Sequence, residues 1–148
     1  MNKRALAIVL PVLLVGAVTF GIIWWDRGAP PGFRPPVVDV VPSELTYEHR
    51  GVRLRGTAHY GARLSQRQGS ETWYLFPVLD QGNTQGREVK VLLRTQTAPD
   101  PVLSFEDLAV EGLARPPGDL VGPDVDRALA KVGYELDPRV VLVVAFDD

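Results

Sequence analysis

Val52-Arg53-Leu54-Arg55-Gly56-Thr57-Ala58-His59-Tyr60 alternates with a period of two. Val52, Leu54, Gly56, Ala58 and Tyr60 fall on one face, and Arg53, Arg55, Thr57 and His59 on the other, which predicts a strand with one wet face. The segments on either side follow suit. Val37–Val41 reads as a first short strand or a lead-in, ended by Pro42-Ser43-Glu44. Thr72–Leu79 is apolar on both faces, Glu88–Thr95 is rich in Val and Leu with Lys90 and Arg94 outward, and Asp107–Arg115 alternates again. Arg139–Phe146 is a last, wholly apolar strand. Turn signals at Gln68-Gly69-Ser70, Asp80–Asn83 and Ala98–Pro101 separate these runs.

One helix interrupts them. Pro123 suits a first helical position, Asp124 and Asp126 suit the positive end of the dipole, and Lys131 with Gly133 suits the end. Val125, Leu129 and Val132 make an apolar stripe, expected to cap an open barrel end. Five strands and a helix over residues 37–148 predict an all-β fold with small α content: a five-stranded, partly open OB-like barrel with the helix before its last strand. Leu54–Ala58 and Val110–Ala114 share an apolar, charged, Gly, any, Ala pattern, so Gly56 and Gly112 are the expected bend points of strongly coiled strands.

Ahead of the barrel, Ala5–Trp25 runs for 21 residues without a charge, about 30 Å as a helix and enough to cross a bilayer's hydrocarbon core. Lys3 and Arg4 precede it, and Asp26 and Arg27 cancel after it, so the positive-inside rule puts the N-terminus in the cytoplasm and the body outside. The division expected is a cytoplasmic tip at 1–4, a transmembrane anchor at 5–25, a Pro/Gly-rich spacer at 26–36 and the barrel at 37–148. Trp24 and Trp25 suit the outer interface, and a cleaved signal peptide is the rival reading of the same run. Ala17 and Gly21 hint at helix association.

The whole chain carries a net charge of −2, and setting aside Lys3 and Arg4 leaves the body at −4. Such a body is not a generic nucleic-acid binder. The absence of cysteine removes thiol redox chemistry, Cys-ligated metals, thioether attachment and a lipidated N-terminal Cys. The two histidines, His49 and His59, lack ligand-set spacing, the four serines lack a nucleophile-elbow context, and there is no phosphate loop. An enzyme is not expected, and no metal site. Asp100, Glu106, Asp107 and Glu111 flank turns, where solvated acid is the ordinary state.

Two features rise above that background. Arg50, Arg53, Arg55, Arg63 and Arg67 place five positive charges in eighteen residues, as an anion site or as a solvated face balanced by acids. Thr72–Pro77 shows aromatics on both faces, so Trp73 or Tyr74 offers a flat platform to a ligand or partner. Arg53, Arg55, His59, Trp73 and Tyr74 are accordingly candidate ligand-binding residues, with no catalytic residue named.

The anchor, Pro42-Ser43-Glu44, Arg53-x-x-Gly56 with Gly61, Phe76-x-x-x-Asp80, Val89-x-Val91, Pro99-Asp100 before Gly112, and Leu129-Ala130-Lys131 come in an order and spacing that resemble the cytochrome c maturation haem chaperones. Those are membrane-anchored OB barrels facing the periplasm. In them the Leu-Ala-Lys segment is followed by a haem-binding histidine, where this chain has Val132 and then Gly133-Tyr134. The resemblance therefore implies no covalently held haem, with non-covalent haem open and Tyr134 as a sixth candidate residue. Tyr74–Leu79, Val91–Thr95, Val110–Pro116 and Asp126–Val144 resemble the Surf-type cytochrome oxidase assembly family, without its second span.

What these resemblances imply is a non-enzymatic periplasmic accessory protein of the bacterial inner membrane, single-pass, binding or scaffolding an integral membrane complex in cytochrome or haem-protein maturation. The alternative expectation is an OB-type module for an oligosaccharide or other anionic envelope ligand, with Arg53, Arg55 and Trp73 as binders.

Overall fold

A computed structural model of the chain describes residues 36–46 and 51–146. The Ala5–Trp25 run, most of the spacer, His49 and Arg50 lie outside the described residues. Among the described residues no helix is long and apolar enough to cross a membrane.

Seven strands form: β1 Val38–Val40, β2 Gly51–His59, β3 Leu64–Gln68, β4 Glu71–Leu79, β5 Glu88–Thr95, β6 Phe105–Arg115 and β7 Glu135–Ala145, with helix α1 at Pro123–Lys131 before β7. Sheet order is β1-β2-β6-β7-β5-β4-β3, and β2 also pairs with β4. Five strands therefore close a ring, β2-β6-β7-β5-β4, with β1 and β3 added outside it. Within the ring only β5 and β7 run parallel, which gives an OB-like barrel. The barrel is closed rather than partly open. Its seam is short: Thr57 opposite Leu79 and Ala58 opposite Val78.

Gly56 and Gly112 stand where their strands change partner. A Cβ on Gly56 would run into the Leu79 carbonyl oxygen and come within 2.7 Å of Val78 Cγ1, and one on Gly112 would come within 2.5 Å of the Val144 carbonyl oxygen. Both glycines exist because another backbone passes against them, at the β2–β4 seam and at the β6–β7 pairing.

Side chains alternate between two cores. Inside the barrel lie Val52, Leu54, Ala58, Tyr60, Phe76, Val78, Val91, Leu93, Val141 and Val143. The outward residues of the same wall, Leu75, Leu92, Val140 and Leu142, pack with Val125 and Leu129 of α1. The helix thus covers the outer wall and does not cap a barrel end. Val91–Leu93 of β5 and Val140–Val143 of β7 are continuous apolar runs because both faces of these strands are covered there. Pro138 of β7 falls where the register with β5 jumps, from Val89 opposite Leu136 to Val91 opposite Val141, so its missing N–H costs no regular pairing.

The end of α1 is a Schellman turn: the Tyr134 N–H reaches the Leu129 carbonyl, the Gly133 N–H reaches the Ala130 carbonyl, and Gly133 adopts φ +86°. That turn drives Tyr134 inward and leaves Val132, expected on the buried stripe, half exposed.

Candidate functional site

The wet face expected for β2 exists only at its first half. Arg53 and Arg55 reach solvent, whereas Thr57 and His59 are buried. The cover comes from the turn after β4. Asp80 accepts from the Asn83 N–H, Gly82 turns the chain at φ +85°, and the Gly82 N–H donates to the Thr57 hydroxyl at 2.8 Å. That hydroxyl donates in turn to Asp107 Oδ1. The Ser43 N–H, on the turn after β1, donates to Asp80 Oδ1 at 3.0 Å.

His59, fully buried, sits beneath this turn. Its Nε2 lies 2.7 Å from the Asn83 carbonyl oxygen and its Nδ1 lies 2.8 Å from the Tyr134 hydroxyl. A carbonyl only accepts, so Nε2 carries the proton, and the bare Nδ1 accepts from Tyr134. Phe105 and Tyr134 meet the imidazole edge-on, with centroids at 4.9 and 5.6 Å. The Arg87 guanidinium lies 5.0 Å from the Tyr134 ring centroid. Burial, helped by the Arg87 charge, holds the His59 pKa below the ordinary histidine value against the pull of the Asn83 carbonyl. Burial also raises the Tyr134 phenol, which Arg87 partly offsets.

Two of the six candidates therefore meet, and each occupies the other. Both imidazole nitrogens are engaged and the residue is sealed from solvent, so an iron ligand at His59 would first have to break one of these bonds.

Arg53 is an ion-paired bridge, with Glu111 Oε1 at 2.8 Å and Asp39 Oδ1 at 3.3 Å. The pairing follows from register, since Asp39 and Glu111 are its direct neighbours on β1 and β6. Solvent screens a ladder this exposed, so it adds little to stability. Arg55, opposite Ala109, is exposed. Arg63 and Arg67 belong to the connection after β2 and to β3, so the cluster read in sequence is divided among separate elements.

The two aromatic candidates part company. Tyr74, half-buried, faces the same way as Phe76 and lies opposite Ser65 and Thr95. Trp73 lies on the other face, where the Arg94 guanidinium stacks on its ring at 4.0 Å. Arg94, expected outward, is on the outer wall but buried there at 6% exposure, where Trp73, Gln66 and Gln68 of the adjacent β3–β4 hairpin contact it. Its Nη2 donates to Gln68 Oε1 at 3.0 Å and its Nε to Gln66 Oε1 at 3.4 Å. Trp73 consequently offers no bare platform on that face.

Two adjoining shallow clefts, of about 260 and 330 Å³, meet at Pro42, Ser43 and Lys90; Asp80 and Arg87 line one, and Asp137 and Arg139 the other. Acid and base alternate around them, with no group of three potential metal ligands among the described residues. No known family, no curated protein and no solved structure matches the chain.

Proposed function

We propose that the chain is a non-enzymatic, membrane-anchored accessory protein of the bacterial envelope, serving cytochrome or haem-protein maturation by docking its barrel on an integral membrane partner. One contrast carries the reading. The polar candidates His59, Tyr134 and Arg53, and Thr57 beside them, are satisfied within the fold, while Val102, Leu103 and Phe105, three large apolar side chains within four positions, are 87%, 38% and 39% exposed. Internally satisfied polar groups are poor at chemistry, and clustered exposed apolar ones favour contact.

The uncharged run Ala5–Trp25 and the two assembly-family resemblances support the location. Pro42-Ser43 and Asp80, separate pieces of the haem-chaperone resemblance, are joined here by a hydrogen bond. The rival reading, an anionic polymer on the Arg53–Arg55 face, would require drawing Arg53 away from both of its carboxylates.

A photo-crosslinking amino acid at position 103 of the full chain, in its native membranes, should capture an integral membrane polypeptide, and Val102→Ser should reduce the yield severalfold. Recovery of the folded protein with no crosslinked polypeptide would remove the docking reading. Haem titrated into the purified full chain should produce no Soret change that depends on His59 or Tyr134. A shift abolished by Tyr134→Phe would instead make this pair a ligand site.

A further inference from the structure

Arg94 is a buried cation whose recorded acceptors are neutral. Among the described residues only the side-chain oxygens of Gln66 and Gln68 accept from it, and no carboxylate lies within ion-pair distance. Burying a charge without an opposite one is costly, and two amide oxygens return only part of what water supplied. A second observation lies beside the first. Trp73 Nε1, on the ring that the guanidinium covers, is buried with no hydrogen-bond partner. An orphan N–H and a cation with no carboxylate at ion-pair distance are thus held within one stack, and both donate only.

We propose that the Arg94–Trp73 stack is a receptor for a carboxylate group. The guanidinium fork pairs with a carboxylate through two parallel hydrogen bonds, and the indole N–H supplies a further donor at the same place. A single charge is the better match than a phosphate dianion. One guanidinium neutralises one charge, and its two-pronged fork matches the two oxygens of a carboxylate. The route in lies under the side chains of Gln68, which is exposed, and Gln66, which is half-buried. A carboxylate would replace their amide oxygens, exchanging neutral acceptors for a charged one, which is the stronger bond. This site is separate from the Val102–Phe105 surface, and neither depends on the other.

The test uses the full chain in detergent with Trp24→Phe and Trp25→Phe, so that Trp73 is the only indole. Sodium acetate and N-acetyl-dialanine are titrated at constant ionic strength against sodium chloride, following Trp73 fluorescence and its indole N–H resonance. A saturable response to either carboxylate, absent with chloride, is expected. Tenfold tighter binding of the dipeptide assigns the carboxylate to a protein terminus, and equal binding to a small free acid. Arg94→Gln should abolish the response, and Gln68→Ala should strengthen binding severalfold by removing a competing acceptor, an effect that a purely structural arginine would not give. Saturation by inorganic phosphate but not by acetate, or equal responses in Gln68→Ala and the parent, would overturn the proposal.

Discussion

Gly56→Val is expected to destroy the barrel's closure, lowering stability by about 3 kcal/mol or more. For a domain of this size that is a fall of about 12 °C or more in Tm, read by circular dichroism on thermal unfolding. The expectation follows from what the new side chain would meet. Its Cβ would overlap the Leu79 carbonyl oxygen, and its methyls would press on Val78 and Pro42. A backbone oxygen cannot rotate away as a flexible side chain can, so relief requires β2 and β4 to separate. Their pairing is only two residue pairs long and lies immediately beside Gly56. Gly112→Val should behave alike, because the Val144 carbonyl oxygen stands in the same relation to it. Gly61→Ala is the control: nothing lies within 4 Å of its added Cβ, so it should stay within about 0.5 kcal/mol of the parent. A Gly56→Val protein melting with the control would show that the seam does not hold the barrel together.

That both glycines were readable before any fold was known shows which features sequence carries well. Alternation reports a strand's two environments, so β2, β4, β5, β6 and β7 announced themselves, as did α1 through its stripe and its ends. β3 did not. Leu64-Ser65-Gln66-Arg67-Gln68 has no apolar face, and it is a strand because its backbone completes a hairpin on β4 around Gly69, at φ +63°. Closure was equally hidden, since the pairing of β2 with β4 is a property of the whole ring and not of either segment.

The candidate site divides the same way. The Arg53 ion pairs lie on the face that alternation assigned to it, whereas His59 was assigned to solvent because nothing adjacent in sequence covers it. Its cover is Asn83, 24 residues on, and Tyr134, 75 residues on. Arg94 was placed on the correct side of its strand, but local pattern does not reveal that Trp73, Gln66 and Gln68 of the neighbouring hairpin cover it there.

Stability should fall as the pH drops below about 6.5, and His59 should be the cause. Its folded pKa is depressed by burial while the unfolded chain keeps the ordinary value, so the unfolded state binds the extra proton first. The neutral form's contribution is therefore complete above about pH 6.5. It is lost as pH falls toward the folded pKa, at no more than about 1.4 kcal/mol per pH unit. Protonation need not break the node, since Tyr134 can turn its hydroxyl to accept and Nε2–H keeps Asn83. The cost is a charge sealed from water beside Arg87. Asp137 titrates in another window: the Arg139 N–H, at 2.7 Å, holds its carboxyl below the usual value, so its contribution fails only below about pH 4. Denaturant unfolding from pH 7.5 to 5 should give a slope that His59→Gln flattens. Tyr134→Phe should cost about 1–3 kcal/mol at pH 7.5, because it strips Nδ1 of its donor in a buried place. An unchanged slope in His59→Gln would mean that the acid sensitivity arises elsewhere and that the node, although buried, is not what the fold protects from protons.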